Sequence, residues 1–244
     1  MKILFSTSTS PSFNLATEEY LFSYKSEEYI FLYINQPSVV IGCNQAVSNE
    51  VNMGFCFQNN IQIVRRLSGG GTVYHDEGNL NFCFIHNKRS EQSSLSAGFL
   101  KPVINVLHSM NIPVEAGKRK DLWLDNFKVS GTASHISRNR ELHHGTLLYS
   151  SDIHALQKTL TPNKSEVFKK AIRSVSSPVK NIFTYLTENN RIPASEADFF
   201  HEFALKLAEY FNITELSELS DENIREIEII RQNRYSRIEW NFKI

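Results

Sequence analysis

Three consecutive glycines, Gly69-Gly70-Gly71, separate two short runs of β-forming residues, Ile61 to Arg65 and Thr72 to His75. No other stretch restricts the folding of this chain as tightly. Residues without a Cβ can approach another backbone or an anion closely and adopt φ > 0, and Arg65 and Arg66 stand at the near end of the loop. A guanidinium there can meet a carboxylate or phosphate through two parallel hydrogen bonds. The spacing fits neither a Walker loop, which ends in Gly-Lys-Ser/Thr, nor a Rossmann Gly-x-Gly-x-x-Gly leading into a helix. On these residues alone, an anion cradle and a flexible hairpin with solvated arginines are equally good readings.

Further strand signals surround the loop. Ile30 to Ile34 and Ser38 to Gly42 flank Gln36-Pro37 and read as two strands joined by a turn. Leu80 to Ile85 has period two, and its Leu80, Phe82 and Phe84 face is expected to be core. Leu122 to Leu124 and Phe127 to Val129 flank Asp125-Asn126, a dipeptide suited to a tight hairpin, and His144 to Tyr149 is another strand. Asn14 is expected to cap a helix running to about Tyr24, with Glu18 and Glu19 in its first turn. Leu100, Val103, Leu107 and Met110 mark a second helix, and Asp152 to Leu160, Lys164 to Ile172 and Ala194 to Phe211 mark three more. Strands before residue 150 and helices after it predict an α+β fold, a mostly antiparallel mixed sheet packed with helices. The length is enough for one large domain or two small ones, with the chain sheet-rich in 1–150 and mainly helical in 151–244.

Composition excludes whole classes of function. With 41% hydrophobic and 21% charged residues the chain is neither disordered nor fibrous. Lys+Arg and Asp+Glu both number 26, so there is no global basic field for nucleic acid or an anionic membrane, and basic chemistry must be local. The uncharged stretch from Tyr29 to Asn49 is interrupted by Asn35, Gln36, Pro37, Asn44 and Gln45 and is not a membrane span. Cys43, Cys56 and Cys83 form no Cys-x-x-Cys pair, which argues against a disulfide framework or zinc site and fits a reducing cytoplasm.

Two further clusters carry reactive side chains. Lys128-Val129-Ser130-Gly131-Thr132 can project an ammonium from a strand into a cleft lined by backbone donors, whereas a lone lysine is usually a surface residue. Asp121 can hold a divalent metal or orient Lys128, or serve only as a turn residue. His143 and His144 are adjacent on a strand, point to opposite faces, and so cannot share one metal ion.

Taken in order, Asn14-Leu15-Ala16-Thr17-Glu18-Glu19, Val40-Ile41-Gly42-Cys43-Asn44-Gln45, Arg65 to Asn79, Lys120-Asp121-Leu122, Lys128 to Ala133 and His143 to Leu148 resemble the lipoate-protein ligase A family of the biotin/lipoate ligase group, most strongly over residues 12 to 182. The resemblance implies a ligase that converts lipoate and Mg-ATP into lipoyl-AMP and then acylates a lysine of a lipoyl domain in a 2-oxoacid dehydrogenase E2 subunit or of the glycine cleavage H protein. It implies Arg66, Gly71, Thr72, Val73, Tyr74 and Lys128 for ATP, with Lys128 the catalytic residue. It implies Arg66, Ser68, Gly69, Gly70, His75, Lys128 and His144 for lipoate, and Asp121 for Mg²⁺.

The chain departs from the family pattern at two places. Ser176 and Pro178 stand where the family often has arginines, and the chain stops at Ile244 where the family continues into a small accessory domain, sometimes a separate polypeptide. An ATP-independent octanoyl or lipoyl transferase using a cysteine, and a non-catalytic lipoate-binding homologue, are the competing expectations. A biotin ligase would carry Gly-Arg-Gly-Arg in place of Arg65 to Gly71.

Overall fold

The computed structural model of the protein describes residues 1–88, 97–162 and 173–243. In chain order the elements are β1 (Lys2–Phe5), α1 (Pro11–Ser23), β2 (Tyr29–Ile34), β3 (Ser38–Ile41), α2 (Val47–Glu50), α3 (Met53–Gln58), β4 (Gln62–Arg65), β5 (Val73–His75), β6 (Asn79–Asn87) and α4 (Leu100–Ser109). Then come β7 (Glu115–Ala116), β8 (Leu122–Leu124), β9 (Phe127–Ser130), β10 (Thr132–Ile136), β11 (Arg140–Leu148) and α5 (Ile153–Thr159). The last elements are α6 (Ile182–Glu188), α7 (Glu196–Tyr210), β12 (Leu216–Ser217), α8 (Asp221–Ile230), a π-helical turn (Arg231–Tyr235) and α9 (Ile238–Asn241). The helix expected over 164–172 lies outside the described residues.

A six-stranded mixed sheet, ordered β10-β11-β6-β2-β1-β12, forms the centre. Its β10-β11, β11-β6 and β6-β2 pairs are antiparallel, and its β2-β1 and β1-β12 pairs are parallel. Alternation along β6 divides the core. Leu80, Phe82 and Phe84 pack with α4 and α7, whereas Cys83 and Ile85 pack with α1 and Ile227 of α8. The face expected to be core is buried, and the opposite face is buried as well, because α1 and α8 cover it.

A second sheet, β4-β3-β5, packs its Val39, Ile41, Ile63 and Tyr74 against α3 and α5. The strands on either side of Gln36-Pro37 therefore belong to different sheets and are not a hairpin. A third, antiparallel sheet is β7-β8-β9. The strand β12, inside the half expected to be helical, adds the outermost parallel strand of the main sheet.

Helix α1 begins earlier than the sequence predicts. Ser10 is the N-cap and accepts from the Phe13 N–H, and Pro11 fills the first turn, where its missing N–H costs no hydrogen bond. Asn14 is thus inside the helix, and its Nδ2 donates to the Ser8 carbonyl and Asn35 Oδ1. Glu18 and Glu19 sit beyond the first turn and do other work.

Ser195 caps α7, accepting from the Asp198 N–H at 3.2 Å. Ser195→Ala is expected to lower stability by about 1 kcal/mol, read as an earlier urea midpoint with unchanged slope. An unchanged midpoint would show that this cap contributes nothing.

Candidate active site

Arg66 braces the glycine loop. Its side chain is buried, with Nη1 donating to the Val40 carbonyl, Nη2 to the carbonyls of Gly69 and Gly71, and Nε to Ser68 Oγ. Burial lowers the guanidinium pKa to about 10, against the pull of the Glu18 carboxylate, which raises it. Gly70 has φ +83°, a value that disfavours a side chain, and a Cβ on Gly42 would collide with the Gly70 carbonyl oxygen. The triple glycine is therefore a fixed loop packed against a second glycine.

The bracing continues into the interior. Ser68 Oγ lies 2.7 Å from His144 Nε2, and His144 Nδ1 lies 2.9 Å from Glu18 Oε2. Glu18 Oε1 also accepts from the Tyr33 hydroxyl at 3.0 Å. A carboxylate only accepts, so the proton sits on Nδ1; in the neutral ring Nε2 then takes the Ser68 hydroxyl proton, leaving the serine oxygen free to accept from Arg66. Ser68 is buried by these contacts, and a polar chain runs from Glu18 to Arg66.

Lys128 comes from a hairpin whose two turn residues, Asp125 (φ 50°) and Asn126 (φ 64°), both adopt the left-handed conformation a two-residue turn requires. Its N–H donates to the Pro178 carbonyl at 2.8 Å, and its carbonyl accepts from the Lys180 N–H at 3.3 Å, so residues 178–180 run beside β9 like a short parallel strand. The ammonium lies 3.5 Å from Asp121 Oδ2. Desolvation lowers its pKa, partly offset by the Asp121 charge. Both Asp121 oxygens are buried and lack a hydrogen-bond partner among the described residues.

Two adjoining cavities meet at Lys128. The first, about 310 Å³, is lined on its apolar side by Leu15, Tyr33, Val40 and Val73, and on its polar side by Arg66, His75, Arg119, Asp121, Lys128 and His144. The second, about 380 Å³, lies between Thr72 to Tyr74, α5 and residues 173–179, and shares Thr72, Val73, Lys128, Gly131 and Arg173 with the first. Of the expected site residues, Arg66, Gly70, Gly71, Thr72, Val73, His75, Asp121, Lys128 and His144 line the first cavity. Tyr74 belongs to the second, with its ring in the core under β3. Ser68 and Gly69 line neither, and their contacts with Arg66 place them behind the wall. His143 faces the other side of the sheet, stacked on Phe99 at 4.5 Å, as strand alternation requires. A cavity with one apolar and one polar side, joined to a second across a half-buried ammonium, suits an elongated apolar acid beside a second, anionic ligand.

His75 presents a donor to the first cavity. Asn35 Oδ1 accepts from Asn14, which turns Asn35 Nδ2 toward His75 Nδ1 at 2.9 Å, so the ring proton is on Nε2, which has no partner among the described residues. Burial, with Arg66 and His144 nearby, pushes its pKa down to about 3. The unfolded chain takes up this proton near pH 6.5, and the folded chain does not until about pH 3. Stability therefore falls with pH across that window, by about 1.4 kcal/mol per unit. Between pH 7.5 and 5.0, urea unfolding of His75→Gln is expected to lose about 2 kcal/mol less than the parent chain. Equal losses would exclude His75 as the acid-sensitive group; the lowered pKa values of His135 and His143 act on both proteins alike.

Several wall residues were not foreseen. Glu18 and Tyr33 were hidden because their role depends on α1 docking against β11, 126 residues away along the chain. Gln45 Oε1 accepts from Gly42 N–H and Thr72 Oγ1, and Ser174 Oγ accepts from Thr72 N–H, which ties residues 173–179 to the glycine loop. Arg119 and Arg173 bring guanidinium groups to the wall, whereas Ser176 and Pro178 stand at the expected arginine positions. Asn44-Gln45 lay inside a quoted motif; Arg173 carried no local signal.

Proteins named as lipoate–protein ligases resemble the chain in sequence and in fold. Lipoate–protein ligase 1 of Staphylococcus aureus is 37% identical over 238 residues, covering 96% of this chain and 70% of that protein. The solved structure of P. falciparum LipL1 in complex with lipoate superposes with a TM-score of 0.78 at 26% identity, over 100% of this chain and 74% of that one. Lipoate-protein ligase A bound with ATP superposes at 0.80 with 21% identity, over 99% and 98% of the two chains, a likeness of fold. The lipoyl protein ligase A/B catalytic domain matches residues 10–204, and the chain belongs to that family.

Proposed function

We propose that the protein is a lipoate–protein ligase, an ATP-dependent enzyme that forms an acyl adenylate. A lipoate carboxylate oxygen attacks the α-phosphorus of ATP and pyrophosphate leaves; a lysine amine of a lipoyl domain then attacks the acyl carbon, AMP leaves and the amine loses its proton. Such a reaction needs two anions held together away from water, through fixed positive charge more than through a nucleophile. The observation that carries the reading is Lys128 on the wall shared by the two cavities. In this reading Lys128 contacts the acyl carboxylate and the α-phosphate together.

The first cavity, with Gly70, His75 and His144 on its wall, takes the acyl chain. Thr72, Val73 and Tyr74 border the nucleotide, Arg66 and Gly71 stand between the two ligands, and Ser68 and Gly69 act through Arg66. Mg²⁺ arrives with ATP as substrate. Asp121, a buried carboxylate 3.5 Å from the Lys128 ammonium and without a hydrogen-bond partner among the described residues, fits as a single ligand to an ion whose other ligands are phosphate and water.

The partners in this reading are the lipoyl domains of 2-oxoacid dehydrogenase E2 subunits or the glycine cleavage H protein, with residues 1–244 as a catalytic unit. A reducing cytoplasm is the setting; the three thiols are free, and among the described residues no helix is long and apolar enough to cross a membrane.

A cysteine-based transferase finds no support, since none of the three cysteines lines either cavity and Cys56 and Cys83 are buried, with their thiol pKa values pushed up. The test is the intact mass of a lipoyl domain incubated with the protein, lipoate and ATP. A lipoyl-sized gain that requires both small molecules is expected; no gain, or a thioester on the protein, would overturn the proposal.

A further inference from the structure

Two consecutive residue pairs straddle the wall of the site. Glu18 faces inward to His144, while Glu19 Oε1 accepts from Arg234 Nη1 at 2.6 Å. Arg66 braces the glycine loop, while Arg65 turns the opposite way into the C-terminal segment. Arg65 is fully buried. Its Nε donates to the Trp240 carbonyl at 3.0 Å, and its Nη2 to the Lys243 carbonyl at 2.8 Å. Its Nη1 holds the carbonyls of Gly42 and Gln45 at 2.9 and 2.7 Å. Gly42 lies under Gly70, and Gln45 holds Thr72.

The backbone of Arg65 is gripped too. β4 is an edge strand, paired only with β3, and at its end the Arg65 N–H donates to Asn241 Oδ1 at 2.9 Å while its carbonyl accepts from Trp240 Nε1 at 2.8 Å. Two side chains thus occupy the positions of a missing neighbouring strand at the residue before Arg66. Asn241 is itself fixed, its Nδ2 donating to the Tyr235 carbonyl at 2.9 Å. These residues lie beyond 204, where the family match ends.

We infer that Trp240 and Asn241 are positioning residues for adenylate formation, setting the glycine loop from behind through Arg65. Movement of residues 231–243 is then felt first by the loop under the two ligands. The inference rests on the proposed function for its reaction and on the hydrogen bonds alone for its mechanical part.

The experiment uses the full chain with Asn241→Ala, which removes the acceptor for the Arg65 N–H, and Trp240→Phe, which removes the donor while keeping an aromatic ring to pack beside Tyr235. Hydrogen exchange of peptides spanning 40–45 and 64–68, where Cys43 N–H donates to Ser68 O and Arg66 N–H to Ile41 O, is expected to quicken about tenfold, with β6 unchanged. Lipoyl-AMP formation from lipoate and ATP should slow at least about fivefold, while acyl transfer from supplied lipoyl-AMP keeps its rate. A merely structural role would lower both half-reactions together in proportion to the folded fraction. Unchanged exchange in a folded variant, or equal loss of both half-reactions, would overturn the inference. If Asn241→Ala does not fold, Trp240→Phe decides. If the parent chain makes no lipoyl-AMP, the proposed function fails and exchange alone judges the coupling.

Discussion

Lys128→Ala is expected to lower lipoate- and ATP-dependent lipoylation about 10³-fold, the loss found when one preorganised donor is removed from a developing anion in a dry site. The ammonium is half-buried between the two cavities and rests 3.5 Å from Asp121, so its loss has two parts. The positive charge between two anionic reactants disappears, and the buried Asp121 carboxylate keeps only the more distant Arg119 guanidinium, at 3.9 Å, as counter-charge. Lys128→Arg is not expected to restore activity, because a planar fork is bulkier than an ammonium and points its donors differently. Single-turnover formation of lipoyl-AMP is the measurement. A loss smaller than about tenfold would remove Lys128 from its central role.

Arg66→Ala is expected to be the most destabilising substitution at the site, costing about 3–5 kcal/mol. It removes four hydrogen bonds, three of them to the main-chain carbonyls of Val40, Gly69 and Gly71. Water entering from the cavity relieves part of this, which keeps the cost below the sum for four separate unsatisfied groups. Arg66→Lys should recover little, since one ammonium cannot span Val40 and the glycine loop at once. Urea unfolding measures the effect; a cost below about 1 kcal/mol would show that the loop holds its shape without the guanidinium.

The contrast between Arg65 and Arg66 shows where sequence reading stopped. Both were visible as arginines at the mouth of a glycine loop, and alternation along a strand already implied opposite directions. Which one lines the cavity depends on α9 arriving from the far end of the chain to cover Arg65. The opposed directions of His143 and His144, and the Asp125-Asn126 turn, were readable because they follow from residues adjacent in sequence. In the sequence Glu18 reads as a favourable charge near a helix end; its contact with His144 is fixed by packing between elements formed far apart. Gln36-Pro37 does lie between two strands, β2 and β3, and only packing decides that each enters a different sheet.

The hydrogen bonds between Lys128 and residues 178–180 have one more consequence. Pro178 lacks an N–H, yet only its carbonyl is used, so proline costs nothing at this position and adds stiffness beside the reactive strand. The same segment closes the second cavity. Widening that cavity on this side means unzipping the strand that carries the ammonium, so the room in the pocket and the position of its positive charge change together.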